Sequence, residues 1–182
     1  MVSIDELLSQ LRSEDAETAS EAMSSLCELG VGIAVPPILE ILRDHSDPRL
    51  RMQAALCIRD IKALEGLPVL VEALRDPKNS SYRGTFVYAM QPFDCRPYVA
   101  EIARLVGDEV FEVREMALQL MEEMNLSLEL ASIQDARQIL TERLQECSSD
   151  PEVSPYVTHA FKILNALESN EPRPERGAGV FD

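Results

Sequence analysis

The sequence predicts an all-α fold, an α-solenoid of about four to five stacked helix pairs. Three observations support this prediction. Apolar residues recur at positions i, i+3, i+4 and i+7 in successive segments, which is the spacing of one helix face. The segments themselves repeat at an interval of 32 residues. The apolar residues are mainly aliphatic, with four tyrosines, five phenylalanines and no tryptophan, a composition typical of packed helices.

Three segments align at this interval, and each predicts the second helix of a pair. Residues 35–44, 67–76 and 99–108 all begin with an apolar residue and end with aspartate. One face of each helix is apolar and is expected to lie in the core. The positions of this predicted core stripe are Val35, Ile38, Leu39, Leu42, Leu67, Leu70, Val71, Leu74, Val99, Ile102, Ala103 and Val106.

The stretches between these segments predict the first helix of each pair, with a stripe of the same kind. Its positions are Ala22, Met23, Leu26, Leu29, Ala54, Ala55, Ile58, Ile61, Phe86, Val87, Met90, Phe93, Ala117, Leu118, Met121 and Met124. Each repeat is therefore a helix, a short turn, a second helix and a tight turn that contains aspartate, such as residues 44–48. Pro48 and Pro77 suit helix starts, where a missing N–H costs nothing.

The ends of the chain depart from the repeat. Residues 4–11 predict a half-repeat that caps the stack, and a final helix is expected to open after Asp150 and to reach about Leu167. The predicted solenoid domain covers residues 1–168. Residues 169–182 are rich in proline, glycine and charge, which predicts a disordered tail.

Two internal departures are also expected. The third repeat carries Gly84-Thr-Phe-Val-Tyr88 where its neighbours have small residues, and its first helix is predicted to break at Gln91-Pro92. The fourth repeat is ten residues longer than the others, and residues 125–135 are predicted to be irregular.

The repeat resembles a known family. The pattern Asp47-Pro-Arg-Leu-Arg51-Met-Gln-Ala-Ala-Leu, followed by Gly66-Leu-Pro-Val-Leu-Val-Glu-Ala-Leu-Arg-Asp76, is similar to the short HEAT repeat of the phycobilin lyases. The resemblance covers roughly residues 1–167. It implies a right-handed superhelix whose second helices line a concave face. The same repeat serves lyases, adaptors and chaperones, so the resemblance does not select one function.

The charge of the chain restricts its partners. The net charge is −15, from 17 basic and 32 acidic residues. A field of this sign repels nucleic-acid phosphates and anionic membrane surfaces, whereas a basic protein surface is its natural complement. The first residues contain no apolar core of a secretory signal, and no stretch is long and apolar enough to span a bilayer. A cytoplasmic location is therefore expected, with a protein partner, no nucleic acid and no membrane.

The sequence marks no catalytic, cofactor or metal site. Glycine-rich phosphate loops are absent, and His45 and His159 have no histidine or cysteine at ligand spacing. The four cysteines are far apart without a CxxC pair, and are expected to be reduced thiols that pack as small apolar side chains. Glu122 and Glu123 are adjacent on a helix and point about 100° apart, so they are expected to lie on a solvated face.

Three arginines recur with the repeat. Arg51, Arg83 and Arg114 are spaced 32 and 31 residues apart, each near a turn aspartate. A basic ladder that binds an anionic ligand is one interpretation. The other is a structural ladder of Asp–Arg pairs that holds adjacent turns together, and it is preferred because a repeated residue in a solenoid usually serves the repeat.

The face of each second helix opposite the core stripe is the predicted protein-binding surface. It mixes acidic with apolar residues, as protein interfaces often do, although an ordinary solvated flank would also have acidic residues. Its positions are Pro37, Glu40, Ile41, Val69, Glu72, Ala73, Glu101, Arg104 and Leu105. Tyr82 and Tyr88, which lie off the core stripe in the irregular third repeat, form a second candidate.

Together these features favour a non-enzymatic protein-binding module without a cofactor. Its role would be that of an adaptor or scaffold, a chaperone or a toxin-neutralising partner. One alternative is a phycobilin-lyase-like protein that handles a chromophore, which would require a pocket with a cysteine or paired acids at its mouth. Another alternative is a structural subunit of a larger assembly.

Overall fold

The computed structural model describes residues 2–13, 15–30, 32–124 and 130–169. These residues form helices and turns and contain no β-strand, which confirms the all-α class. They divide into two compact units, residues 1–93 and 94–182. The α-helices are α1 (Ile4–Gln10), α2 (Ala16–Leu29), α3 (Val35–Asp44), α4 (Pro48–Ile61), α5 (Gly66–Arg75), α6 (Arg83–Ala89), α7 (Val99–Leu105), α8 (Phe111–Glu123), α9 (Leu130–Glu146) and α10 (Ser154–Ser169). Short 3-10 helices cover Gly32–Ala34, Pro77–Tyr82 and Arg96–Tyr98.

The first unit consists of two layers of stacked helices. Helices α2, α4 and α6 pack in order in one layer, and α3 and α5 pack side by side in the other. Helix α3 also contacts α4, and α5 contacts α6, so successive helix pairs bury their apolar faces against each other. Helix α1 packs on α2 at the start of the stack, where the half-repeat was predicted. This is the solenoid arrangement that the 32-residue interval predicts.

Asp47 and Asp76, two aspartates of the turns, cap the helices that follow them. The Asp47 carboxylate accepts a hydrogen bond from the backbone N–H of Arg49, and Asp76 accepts one from Lys78. Asp108 accepts a hydrogen bond from the backbone N–H of Val110 in the turn before α8 and does not cap that helix. The caps at Asp47 and Asp76 satisfy N–H groups that the first turn of a helix leaves without partners. The hydrogen bond from the backbone N–H of Lys78 is the main cause that lowers the pKa of Asp76.

The predicted stripes form the core of both units. All twelve positions predicted for the second helices are buried. Leu29 is an exception among the first helices, because its side chain is 58% exposed. It is the last residue of α2, next to Gly30 in the left-handed region, where α2 ends. Gly66 shows how closely α5 approaches α4, since a Cβ at this position would collide with the side chain of Ile58.

The second unit contains α7 to α10. Helix α7 packs against α8 and α9, and α10 packs against α8 and α9. The irregular segment predicted at 125–135 was wrong for residues 130–135, which begin α9, while residues 125–129 lie outside the described part. The helix forms because residues 130–146 contain no glycine or proline and bury Ile133, Ala136 and Leu140 on one face.

The remaining boundaries agree with the predicted repeat. Helix α6 ends at Ala89, just before the break that was predicted at Gln91-Pro92. Helix α10 extends to Ser169, close to the expected end at Leu167. Residues 170–182 lie outside the described residues. The predicted boundary between a domain of residues 1–168 and a disordered tail therefore stays a prediction.

Candidate protein-binding surface

Two adjoining depressions on the surface of the first unit are both lined by residues of α3. The first has a volume of about 280 Å³ and lies between α3 and the segment that follows α1. The second has a volume of about 240 Å³ and lies between α3, α5 and the following 3-10 helix. Asp44 lines both. We refer to this surface as the α3–α5 face, which comprises Pro37, Glu40, Ile41, Arg43, Asp44, Val69, Glu72, Ala73, Asp76 and Lys78.

All six predicted binding positions on α3 and α5 line these depressions, but they do so in two ways. Glu40 and Glu72 are exposed at the rim, whereas Ile41, Val69 and Ala73 are 9%, 1% and 6% exposed. The expectation that the apolar members lie opposite the core was wrong. Helix α3 packs both on the other layer and on α5, so helices of this layer bury two stripes. The buried apolar residues form the floor of the depressions.

Some charged side chains of the α3–α5 face form ion pairs with one another, and others do not. Arg43 Nε lies 3.5 Å from a Glu72 carboxylate oxygen, and Lys78 Nζ lies 3.0 Å from an Asp76 carboxylate oxygen. Lys78 also donates to the backbone oxygen of Arg43 at 2.6 Å. Within the described part of the chain, no ion pair is seen for Glu40 or Asp44, which are both exposed and one helical turn apart. The basic groups between α3 and α5 are therefore engaged, and two carboxylates remain for a partner.

The other predicted row lies in the second unit. On α7, Glu101 is half-buried, Arg104 is exposed and Leu105 is 8% exposed. Leu105 therefore belongs to the core, as Ile41 and Ala73 do in the first unit. The exposed side chain of this row is a cation, so α7 does not repeat the acidic rim of the α3–α5 face.

The predicted tyrosines lie in the other part of the first unit. Tyr88 is on α6, in the layer of α2 and α4, and its side chain is 39% exposed. The guanidinium of Arg59 lies 4.4 Å above the centre of its ring and also pairs with Asp60 at 2.8 Å. Tyr82 is half-buried at the end of a 3-10 helix. Neither tyrosine lines the two depressions of the α3–α5 face.

Two of the three recurring arginines, Arg51 and Arg114, bind backbone carbonyls, which corrects the predicted Asp–Arg ladder at these two positions. Arg51 is 4% exposed and donates to the backbone oxygens of His45 and Ser46 at 2.6 and 3.0 Å. These carbonyls follow the end of α3, where no helical N–H is available to them. Arg51 Nε also donates to Asn79 Oδ1 at 3.0 Å, which ties one repeat to the next. Arg83 is half-buried at the first residue of α6.

Arg114 repeats the carbonyl contact in the second unit. It is 4% exposed and donates to the backbone oxygens of Asp108 and Glu109 at 2.9 and 3.0 Å. Its guanidinium lies 5.9 Å from the ring centre of Phe111 and 5.2 Å from that of Tyr156. Burial, carbonyl contacts and aromatic stacking support a structural role for this residue. Among the turn aspartates, Asp47 and Asp76 cap the helices that follow them.

A polar cluster between α8 and α10 was missed. His159 is 5% exposed, and its Nε2 lies 3.1 Å from a Glu122 carboxylate oxygen. The Tyr156 hydroxyl donates to a Glu115 carboxylate oxygen at 2.6 Å. The expectation that Glu122 lies on a solvated face was therefore wrong. The pairs are 37 and 41 residues apart, so the 32-residue interval gave no signal for them.

The described residues do not form an evident reactive site. No group of three or more histidine, cysteine, aspartate or glutamate side chains among them could hold a metal ion. Burial raises the pKa of the Cys95 thiol to about 12, and it also raises the pKa of Cys57 and Cys147. Such thiols are rarely ionised, so none of these three is expected to begin a nucleophilic reaction. In the part of the chain that the structure describes, every helix is too short or too polar to cross a membrane.

Comparison with known proteins identifies the repeat. The model of the family described as HEAT repeats matches residues 4–91, which span α1 to α6. The matched residues, a little under half of the chain, support a HEAT-like repeat protein. Helical scaffolds of this family typically mediate protein interactions and are generally non-enzymatic. No curated protein matches the chain. The match does not extend to the phycobilin lyases in particular, so that part of the resemblance stays a prediction.

Proposed function

We propose that this HEAT-repeat protein is a non-enzymatic binding module that acts as an adaptor, chaperone or toxin-neutralising partner. The α3–α5 face binds a protein segment with basic side chains. One observation carries the proposal: all six positions predicted from the sequence on α3 and α5 line two adjoining depressions with an apolar floor and exposed carboxylates at the rim.

The rim and the floor of the α3–α5 face are suited to different steps of binding. Glu40 and Asp44 are exposed carboxylates that can pair with lysine or arginine from a partner. Their charge, together with the net charge of −15, steers a basic surface toward the site and raises the association rate. The floor around Ile41 and Ala73 is apolar, and covering it removes water from the contact. The rim thus sets the association rate, and the covered floor slows dissociation.

The test begins with copurification of the native protein and identification of its partner by mass spectrometry. Association kinetics are then measured for the Glu40→Lys/Glu72→Lys variant at low and high salt. The matched control is Glu21→Lys/Glu28→Lys, because these exposed residues lie on α2 in the other layer and give the same change in net charge. The first variant is expected to associate more slowly than the control. The difference should shrink as the Debye length falls to about 8 Å or less.

Equal slowing by both variants would contradict the proposal, because it would show a dependence on net charge rather than on the α3–α5 face. Loss of the Glu72–Arg43 pair is not expected to unfold the protein. Both side chains are exposed, and such pairs contribute about 0–1 kcal/mol. Normal binding by this variant, combined with loss of binding by Tyr82→Ala or Tyr88→Ala, would instead place the site at the irregular third repeat.

A chromophore-handling role is a second candidate, and one observation favours it. Glu40 and Asp44 are paired acids at the mouth of the first depression, as this alternative requires. No cysteine lies among the described residues that line either depression. The copurification separates the two candidates. A bound molecule that absorbs visible light would favour chromophore handling, and a protein partner without one would favour the binding module.

A further inference from the structure

Two cysteines that are distant in the sequence meet in the first unit. Cys27 lies on α2 and is half-buried, and Cys57 lies on α4 and is buried. Helices α2 and α4 pack directly against each other. The Sγ atom of Cys27 lies 3.9 Å from the backbone oxygen of Cys57. The Cys27 thiol is therefore directed at the backbone of the second cysteine.

The surroundings of the two thiols differ. Burial is the main cause that raises the pKa of the Cys57 thiol, and the nearby Cys27 thiol raises it further. A disulfide requires Cβ atoms about 3.5–4.5 Å apart. Helices α2 and α4 pack directly, and the Cys27 Sγ atom already lies 3.9 Å from the backbone of Cys57, so a side-chain adjustment can bring the two sulfurs together. Cys27 is the more exposed of the two, and an oxidant from solvent reaches it first.

We propose that Cys27 and Cys57 are a redox-active dithiol, which a peroxide converts into a disulfide between α2 and α4. The Cys27 thiolate attacks one peroxide oxygen, so that an S–O bond forms, the O–O bond breaks and the leaving hydroxide takes a proton to become water. The Cys57 sulfur then attacks the Cys27 sulfur. The S–S bond forms, the S–O bond breaks, and the departing oxygen leaves as a second water with the proton of Cys57. Two thiols are oxidised, and one peroxide is reduced to two waters.

The bond would join the first helices of two consecutive repeats. Helices α2 and α4 precede α3 and α5, which carry the α3–α5 face, so oxidation would fix the layer behind that face. In a solenoid, stability depends on the interface between neighbouring repeats. A covalent bond across this interface also reduces the conformational entropy of the unfolded chain. Oxidised protein is therefore expected to melt at a higher temperature than reduced protein.

The experiment treats the native full chain with hydrogen peroxide, blocks free thiols by alkylation and maps the peptides by mass spectrometry. The expected product is a peptide pair linked through Cys27 and Cys57. The intact mass should fall by about 2 Da, the two hydrogen atoms that leave, and a thiol reductant should reverse the change. Cys27→Ser and Cys57→Ser are expected to abolish the product. Cys95→Ser, which changes a buried cysteine of the other unit, is the matched control and should retain it.

Circular dichroism of each variant before oxidation confirms that the helical fold is intact. Oxidation of Cys27 to a sulfenic or sulfinic acid without the link would overturn the proposal. A link that forms only in denaturant, or one that involves Cys95 or Cys147, would overturn it as well. A higher melting temperature of the linked parent, absent from both serine variants after the same treatment, would support it. These outcomes do not depend on the partner of the α3–α5 face.

Discussion

Replacement of Arg51 by alanine tests the structural role of the recurring arginines. The side chain donates three hydrogen bonds, to the backbone oxygens of His45 and Ser46 and to Asn79 Oδ1. Asn79 is fully buried, and its amide nitrogen donates to the backbone oxygen of Ala73 at 2.9 Å. Arg51→Ala therefore removes the link between two repeats and leaves a buried amide oxygen without its donor.

The loss of stability depends on which of the lost hydrogen bonds water can replace. A buried polar group left without a partner costs about 1–3 kcal/mol. Asn79 would incur this cost in full, because water does not reach it. His45 is half-buried and Ser46 is exposed, so water can replace the bonds to their carbonyl oxygens at smaller cost. The expected loss is about 2–4 kcal/mol. This is a large fraction of the roughly 5–15 kcal/mol that stabilises an ordinary domain.

The assay is urea unfolding followed by far-ultraviolet circular dichroism. Arg49→Ala is the matched control, because Arg49 is exposed and lies on the same helix; its effect should remain within about 0.5 kcal/mol. In a double-mutant cycle, Arg51→Ala and Asn79→Ala should be coupled by about 0.5–3 kcal/mol. Equal midpoints and slopes for Arg51→Ala and Arg49→Ala would refute the structural role. Loss of partner binding under those conditions would show that Arg51 acts in recognition.

Three further predictions concern packing and charge. Gly66→Ala should destabilise the fold by about 1–3 kcal/mol in calorimetry, because the added Cβ would collide with α4. Gly32→Ala is the control, because its Cβ would meet no atom within 4 Å, and it should not destabilise the fold to the same extent. The Lys78 N–H lowers the pKa of Asp76 below its usual 3.8, so this carboxylate stabilises the fold above that pH and less as pH falls through the lower folded value. The stability advantage of the parent over Asp76→Asn should therefore shrink on acidification; an advantage that grows would contradict this. Leu105→Asp should lower stability by about 3 kcal/mol or more in urea unfolding, because the carboxylate would enter the core; unchanged unfolding would place Leu105 on the surface.

The helix pairs could be predicted because burial leaves a local pattern in a helix. Ile38, Leu42 and their equivalents recur at helical spacing, and the structure buries all of them. The burial of Ile41 and Ala73 could not be read in the same way. It depends on a second neighbour in the same layer, and the core stripe alone does not show that this neighbour is close. The acidic rim of the α3–α5 face was predicted, but its apolar floor was assigned to the wrong side.

Contacts between helices were the part of the candidate sites that was hardest to predict from the sequence. Glu122 and His159 meet because α10 packs on α8, and their separation of 37 residues does not match the repeat. Cys27 and Cys57 are different. Their separation of 30 residues is close to one repeat, and residues about one repeat apart lie on neighbouring helices of the same layer. The interval that predicted the fold could therefore have predicted this pair, had it been applied to contacts as well as to the core.

The recurring arginines show what the interval determines and what it leaves open. Arg51 and Arg114 both bind two carbonyls of the preceding turn, because a helix ends before each of these turns and leaves those oxygens without helical donors. Their remaining contacts differ, since Arg51 reaches Asn79 while Arg114 lies against the rings of Phe111 and Tyr156. The arginine–carbonyl contact is thus fixed by backbone geometry, whereas the other contacts of each arginine depend on which side chains lie nearby. A surface that selects one partner must depend on such individual side chains. The repeat therefore predicts only a scaffold. The proposal about the partner rests instead on the unpaired carboxylates of the α3–α5 face.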